Sequence, residues 1–283
     1  MTQTISPSLA LIHKIAHLFS ALPQVEAVAL AGSRTSTMHD ASSDIDLYVY
    51  TRTDLPLAER EIIVKESGGA SKASLGLPFW GLGDEWFDHV TGIEIDVVYF
   101  DTQWVENEID RLLRSQQASL GYTTCLWHTV RNSQRLHDPH GWFQGMQTQC
   151  QQRYPDDLRC NIIALNHPVL RNVIPAYANQ LKKAVQRADL VSINHRMAAL
   201  LASYFDVLFA VNRVLHPGEK RLVAKALAQC ESLPINMASD IEAALRASLT
   251  ADPEFMTQLT WFLDHLDRWL EQEGFDPRTS RPK

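Results

Sequence analysis

Cysteine is scarce in this 283-residue sequence: Cys125, Cys150, Cys160 and Cys230 lie far apart, with no Cys-x-x-Cys pair. That spacing excludes a zinc ribbon and a disulfide framework and fits a reducing compartment, so the expected location is the cytoplasm. No apolar run approaches the roughly 18 residues of a membrane span. The first residues lack the basic-then-apolar pattern of a secretion signal. Basic residues do not predominate either. Lys and Arg number 26 against 33 Asp and Glu, a net charge of −7, which argues against nucleic acid as the main partner. No internal repeat or low-complexity tract is present. With 45% hydrophobic and 21% charged residues, the composition is that of a globular chain with room for one large or two modest domains.

The charge is unevenly spread. Between Arg171 and Arg221 there are eight Lys/Arg and three Asp/Glu, a local excess of +5 in an acidic chain.

The stretch that organises the sequence runs from Leu30-Ala-Gly-Ser-Arg34 to Ser43-Asp-Ile-Asp-Leu47. Val25–Ala31 is an apolar run suited to a buried strand, and Gly32-Ser33 breaks it. Ten residues on, Ile45, Leu47 and Val49 alternate with Asp44, Asp46 and Tyr48. Residues two apart on a strand share a face, so Asp44 and Asp46 are neighbours while Ile45 and Leu47 enter the core. Two carboxylates that close repel, and one keeps its proton unless a cation joins them. Magnesium takes oxygen ligands and brings phosphate oxygens with it. A Gly-Ser turn lets the backbone approach a phosphate and present N–H groups to it. Together these are the equipment for phosphoryl or nucleotidyl transfer.

Gly32-Ser33, the ten-residue gap, Asp44-Ile45-Asp46, and the later Ile93-Glu-Ile-Asp-Val-Val-Tyr-Phe100 with Asp96 between Ile95 and Val97 resemble the nucleotidyltransferase superfamily with the polymerase-β-like fold. The resemblance covers about half the chain, to roughly Gly141. It implies an α+β catalytic domain, a mixed sheet with flanking helices, over residues 1–140. An all-α helical bundle domain would follow over 141–283, as in two-domain antibiotic adenylyltransferases. It further implies Mg2+, two ions in the loaded site, held by Asp44, Asp46 and Asp96. ATP or another NTP would be the substrate, its β/γ-phosphates held by Gly32 and Ser33 with added charge from Arg34. The base that deprotonates the acceptor hydroxyl would be Glu94, which shares the strand face of Asp96, or Glu85. Many two-domain members of this superfamily bring a lysine from the helical domain to the triphosphate, and Lys220 in His216-Pro-Gly-Glu-Lys-Arg221 would be that lysine. Gly83-Asp-Glu-Trp86 and His216-Pro-Gly-Glu-Lys220 also resemble a bacterial family of uncharacterised nucleotidyltransferase-like proteins.

The leading expectation is an enzyme that moves a nucleoside monophosphate, AMP first among them, to a hydroxyl of a small molecule and releases pyrophosphate. The alternatives are a catalytically idle nucleotide-binding or toxin–antitoxin-type module, or a nucleotidyltransferase acting on protein or RNA.

Elsewhere, Pro7–Leu22 reads as an amphipathic helix, with His13 and His17 four apart on an exposed face. Ser67–Gly83, with five glycines, reads as a flexible loop over substrate. Asp101 caps a helix to Arg114. Ala118–Val130 reads as apolar helix and Gln134–His137 as a short strand. Asp138-Pro-His-Gly141 reads as the domain boundary. The second half reads as helices, with His195–Leu215 central, Pro217 opening the next helix, and a core stripe of Phe255, Leu259, Phe262, Leu266 and Trp269. The spacing of Asp206, Arg213 and Lys220 puts them on one helical side. The tail from Asp276 reads as mobile.

Overall fold

The computed structural model describes residues 7–32, 44–79, 81–250 and 254–282. Ser33, Arg34 and Trp80 lie outside the described residues. The chain divides into two compact units. One holds Met1–Ile109 and Thr129–Gln152, the other Asp110–His128 and Arg153–Lys283. The turn at Asp138–Gly141 therefore lies inside the first unit rather than between two. The helix that follows it packs its Phe143 ring on Tyr50 of the sheet.

In the first unit, α1 (Pro7–Ser20) precedes β1 (Val25–Leu30) and β2 (Ile45–Thr51). Next come α2 (Leu57–Ser67), β3 (Ala70–Leu77), β4 (Gly83–Asp88) and β5 (Glu94–Asp101). Helix α3 (Thr102–Leu113) follows, capped as expected: the Trp104 N–H donates to Asp101 Oδ1 at 2.7 Å. Helix α4 (Cys125–Asn132) leads to β6 (Gln134–His137) and α5 (Trp142–Gln149).

The described strands form a six-stranded mixed sheet in the order β3-β4-β5-β2-β1-β6. Strands β2 and β5 are parallel; the other neighbouring pairs are antiparallel. Alternation decides the faces. Ile45, Leu47, Val49, Ile95, Val97 and Trp86 are buried in one core with Leu11, Ile15 and Phe19 of α1 and Ile63 and Val64 of α2. The opposite face carries Asp44, Asp46, Tyr48, Glu94, Asp96, Val98, Glu85 and Phe87, none of them buried. His13 and His17 are exposed, as the helix pattern requires.

The glycine-rich segment after Ser67 is not a loop over substrate. It is the edge hairpin β3–β4, with Asp84 as its fastener. Asp84 Oδ1 accepts from Arg60 Nη1 at 2.8 Å and from the Gly76 N–H at 2.7 Å, and Oδ2 accepts from the Tyr99 hydroxyl at 2.6 Å. Gly76 sits at φ +72 and Gly81 at φ +116, which suits residues without a Cβ.

The second unit is helical: α6 (Asp156–Asn166), α7 (Pro168–Arg171), α8 (Tyr177–Gln186), α9 (Leu190–Val211), α10 (Leu222–Gln229), α11 (Met237–Ser248) and α12 (Glu254–Gln272). Phe255, Leu259, Phe262, Leu266 and Trp269 are buried along α12, as their spacing required. The tail is not loose. Phe275–Asp276 (β7) pairs with Arg281–Pro282 (β8), and Ser280 Oγ lies 2.8 Å from His167 Nδ1. No helix among the described residues is long and apolar enough to cross a membrane.

Candidate active site

The parallel register of β2 and β5 sets Asp46 directly beside Asp96, with Ile45 beside Ile95 and Leu47 beside Val97. On the other side of β5, the antiparallel register sets Glu85 of β4 beside Asp96. Cross-strand partners point to the same face, so Glu85, Asp96 and Asp46 form one row across three adjacent strands. Asp44 and Glu94, two residues earlier on β2 and β5, share that face.

The electrostatics follow from this crowding. Burial pushes the Asp96 carboxyl up to about 6, and the charges of Asp46, Glu85, Asp44 and Glu94 push it the same way. Glu94 is raised by partial burial and by Asp44 and Glu85, while the charge of Lys72 on β3 lowers it. A carboxylate cluster of this kind is stabilised when a cation enters it.

Gly32 stands at the end of the row. The Ala31 N–H donates to the Asp46 carbonyl at 2.9 Å, holding the end of β1 against β2. A Cβ placed on Gly32 would lie 1.7 Å from Asp46 Oδ2, and the residue sits at φ +67. The space a side chain would fill is taken by the carboxylate. Among the described residues no three His, Cys, Asp or Glu side chains already stand in a metal-coordinating arrangement. The donor set of Asp44, Asp46 and Asp96 is all oxygen, the chemistry of a hard cation such as Mg2+, and the raised Asp96 marks the charge such an ion would neutralise. By chemical type alone, these oxygen donors suit such a cation.

Lys220 and Arg221 are exposed in the second unit, but not on a helix. Pro217 does not open α10, which begins at Leu222. Gly218 at φ +87 and Arg221 at φ +58 turn the chain through left-handed conformations that a helix cannot contain. The Pro217 carbonyl accepts from Lys225 Nζ at 3.1 Å. Burial lowers the Lys225 ammonium, and the charges of Arg221 and Lys220 push it the same way. The Asp206–Arg213–Lys220 side does not form, because α9 stops at Val211. Asp206 is buried and accepts from the Thr123 N–H and hydroxyl at 3.1 and 2.5 Å. Arg213 pairs with Asp156 instead.

Sequence reasoning missed the role of β3 and β4 as strands, and with it Lys72 and Phe87 on the carboxylate face. It also missed the polar cluster around Asp206. The usable signal in β4 was the alternation of Glu85 and Phe87 with Trp86, obscured by the buried Asp84 and Asp88.

A family profile described as "Domain of unknown function (DUF4037)" matches residues 123–222. No curated protein matches the sequence. Among solved structures, the chain is similar to a nucleotidyltransferase-like protein from Exiguobacterium sibiricum 255-15 at 11% identity and a TM-score of 0.44, covering 93% of this chain and 74% of that one. It is also similar to the spectinomycin adenyltransferase AAD(9) from Enterococcus faecialis, determined with ATP and spectinomycin, at 11% identity and a TM-score of 0.31. That match covers 91% of this chain and 98% of the other.

Proposed function

We propose that the chain is a magnesium-dependent nucleotidyltransferase that moves a nucleoside monophosphate, AMP in the leading case, from an NTP to a hydroxyl of a small molecule. One observation carries this reading: Glu85, Asp96 and Asp46 stand in a single row on the open face of the sheet, with Gly32 making room for Asp46 at its end.

Asp44, Asp46 and Asp96 would hold Mg2+, two ions in the loaded site. The ions would supply charge stabilisation at the phosphorus undergoing substitution. The acceptor oxygen attacks the α-phosphorus, its bond to the pyrophosphate oxygen breaks, and the acceptor proton passes to a carboxylate. Gly32 lies at the end of β1, while Glu85 lies on β4, on the far side of β2 and β5. In-line displacement needs the attacking and leaving oxygens on opposite sides of the phosphorus. With the leaving pyrophosphate toward Gly32, the acceptor enters from the β4 side. Glu85 is then the base, ahead of Glu94, because Glu85 shares the row of Asp96 and Asp46. Lys220 is proposed for the triphosphate on the sequence resemblance of His216-Pro-Gly-Glu-Lys220 alone.

Incubating the chain with each NTP and Mg2+ against a panel of hydroxylated metabolites and antibiotics tests the reading. Mass spectrometry should find a nucleotide adduct on one acceptor and free pyrophosphate. Nucleotide binding without turnover on any acceptor would instead mark a nucleotide sensor.

A further inference from the structure

The carboxylates fill only one end of the open face. Two residues further along β2 and β5 come Tyr48 and Val98, and two further come Tyr50 and Phe100. The rings at this end are in contact. Tyr48 meets Phe100 edge-on with centroids 5.2 Å apart, and Tyr50 stacks on Phe100 at 5.8 Å. Trp104, in the first turn of α3, lies flat on Phe100 at 5.7 Å and an interplanar angle of 7°.

Burial changes along this strip. Tyr50 is fully buried, covered by Trp142 and Phe143 of α5 at 5.3 and 4.8 Å. That closes the strip at its far end. Trp104 remains 47% exposed, whereas Trp86 and Trp127 are 1% and 0% exposed. An indole held flat on a neighbouring ring and left half open to water is placed differently from a core tryptophan. It offers a π-face and apolar area to a ligand.

Position and spacing say which ligand. Same-face residues recur every ~6.6–6.8 Å along a strand, so Phe100 stands ~13 Å from Asp96. Gly32 lies at the opposite end, beside Asp46. A nucleotide whose α-phosphate sits at Asp46 and Asp96, with its outer phosphates toward Gly32, runs its ribose past Tyr48 and Val98. Its base then meets the rings. We propose that Tyr48, Phe100 and Trp104 form the subsite for the donor's base, with Trp104 stacking on it, and that the base is a purine. The inference rests on the nucleotidyltransferase reading of the carboxylates. The strip offers chiefly ring area: Val98, Phe100 and the indole face carry no polar atom, and among the named residues only the Tyr48 hydroxyl can hydrogen-bond. Every base has a π-face, and the larger purine gains more from stacking.

The test is equilibrium binding to the full chain in Mg2+, using α,β-methylene ATP, α,β-methylene CTP and inorganic tripolyphosphate as probes. Wild type should bind the ATP analogue more tightly than the CTP analogue. Trp104→Ala should weaken the ATP analogue by about tenfold, in the range of one lost stacking contact. It should leave tripolyphosphate unchanged, and Trp104→Phe should recover most of the loss. Three results would overturn the assignment: an unchanged ATP analogue in Trp104→Ala, an equal loss for tripolyphosphate, or no purine preference in wild type. If wild type binds none of the probes, the nucleotide reading falls with it. If wild type binds and Trp104→Ala binds equally well, only the base subsite falls.

Discussion

Gly32 and Asp46 occupy one space: a Cβ on Gly32 would lie 1.7 Å from Asp46 Oδ2 and 2.5 Å from its Cγ. The glycine has two reasons to be there. Its φ of +67 is a left-handed conformation that costs other residues about 1–2 kcal/mol. Its missing side chain is also what lets the Asp46 carboxylate stand beside the end of β1. The glycine was expected for close approach to phosphate; its packing against Asp46 is a use that only coordinates reveal.

Gly32→Ala should therefore move the carboxylate rather than unfold the chain. The expected outcome is a melting temperature lowered by a few degrees, consistent with a loss of ~1–2 kcal/mol. Mg2+ affinity should fall by at least about tenfold. Calorimetric titration of the two proteins with Mg2+ checks this. Equal affinity would show that the Asp46 position does not depend on residue 32.

Much of the site was legible because its residues obey a period of two. Asp44 and Asp46 alternate with Ile45 and Leu47, and Asp96 lies between Ile95 and Val97, so each carboxylate's face follows from its neighbours. The order of strands was not legible, and it is what brings Glu85 beside Asp96. Strand β4 hid because its core-facing positions hold Asp84 and Asp88 as well as Trp86. Asp84 is tolerated there by Arg60, Tyr99 and the Gly76 N–H, partners distant in sequence. Pro217 misled in the other direction. A proline suits a first helical turn, but Gly218 and Arg221 in left-handed conformations delay α10 to Leu222.

The Asp96 carboxyl, raised to about 6 by burial and by the charges of Asp46, Glu85, Asp44 and Glu94, predicts a pH dependence. A divalent cation must displace the proton, so apparent Mg2+ affinity should rise with pH up to about 6 and level above it. Without metal the sign reverses for stability. The unfolded carboxyl titrates near ~3.9, so this group favours the folded chain most below that pH, and the advantage is lost as pH rises through about 6. Asp96→Asn should remove that slope. Denaturant unfolding of the metal-free chain at several pH values checks it; an unaltered slope would place Asp96 outside the cluster.

Glu85 and Glu94 divide by position. Glu85 is the cross-strand partner of Asp96, whereas Glu94 is the partner of Phe87. Glu85→Gln should lower kcat by about 100-fold or more, as for loss of a general base, and leave the KM for NTP nearly unchanged. Glu94→Gln should cost less than about tenfold. The reverse order of effects on kcat would make Glu94 the base.

Lys220 is exposed and stands beside Arg221 in a turn rather than in a helix. If it meets the triphosphate, Lys220→Ala should raise the KM for NTP-magnesium several-fold and lower kcat, because pyrophosphate leaves from that end. Far-UV circular dichroism should be unchanged. Steady-state kinetics with NTP varied at saturating acceptor provide the measurement. An unchanged KM would leave nucleotide binding to the first unit.

Calorimetric titration of a non-hydrolysable ATP analogue, with and without Mg2+, into wild type and Asp46→Asn tests the carboxylate row most directly. Wild type should bind the analogue in a magnesium-dependent manner. Asp46→Asn should lose that dependence while its metal-free stability stays equal or rises, since the substitution removes a charge from a repelling cluster. Binding that ignores Mg2+, or that persists unchanged in Asp46→Asn, would contradict a metal-nucleotide site at Asp46 and Asp96.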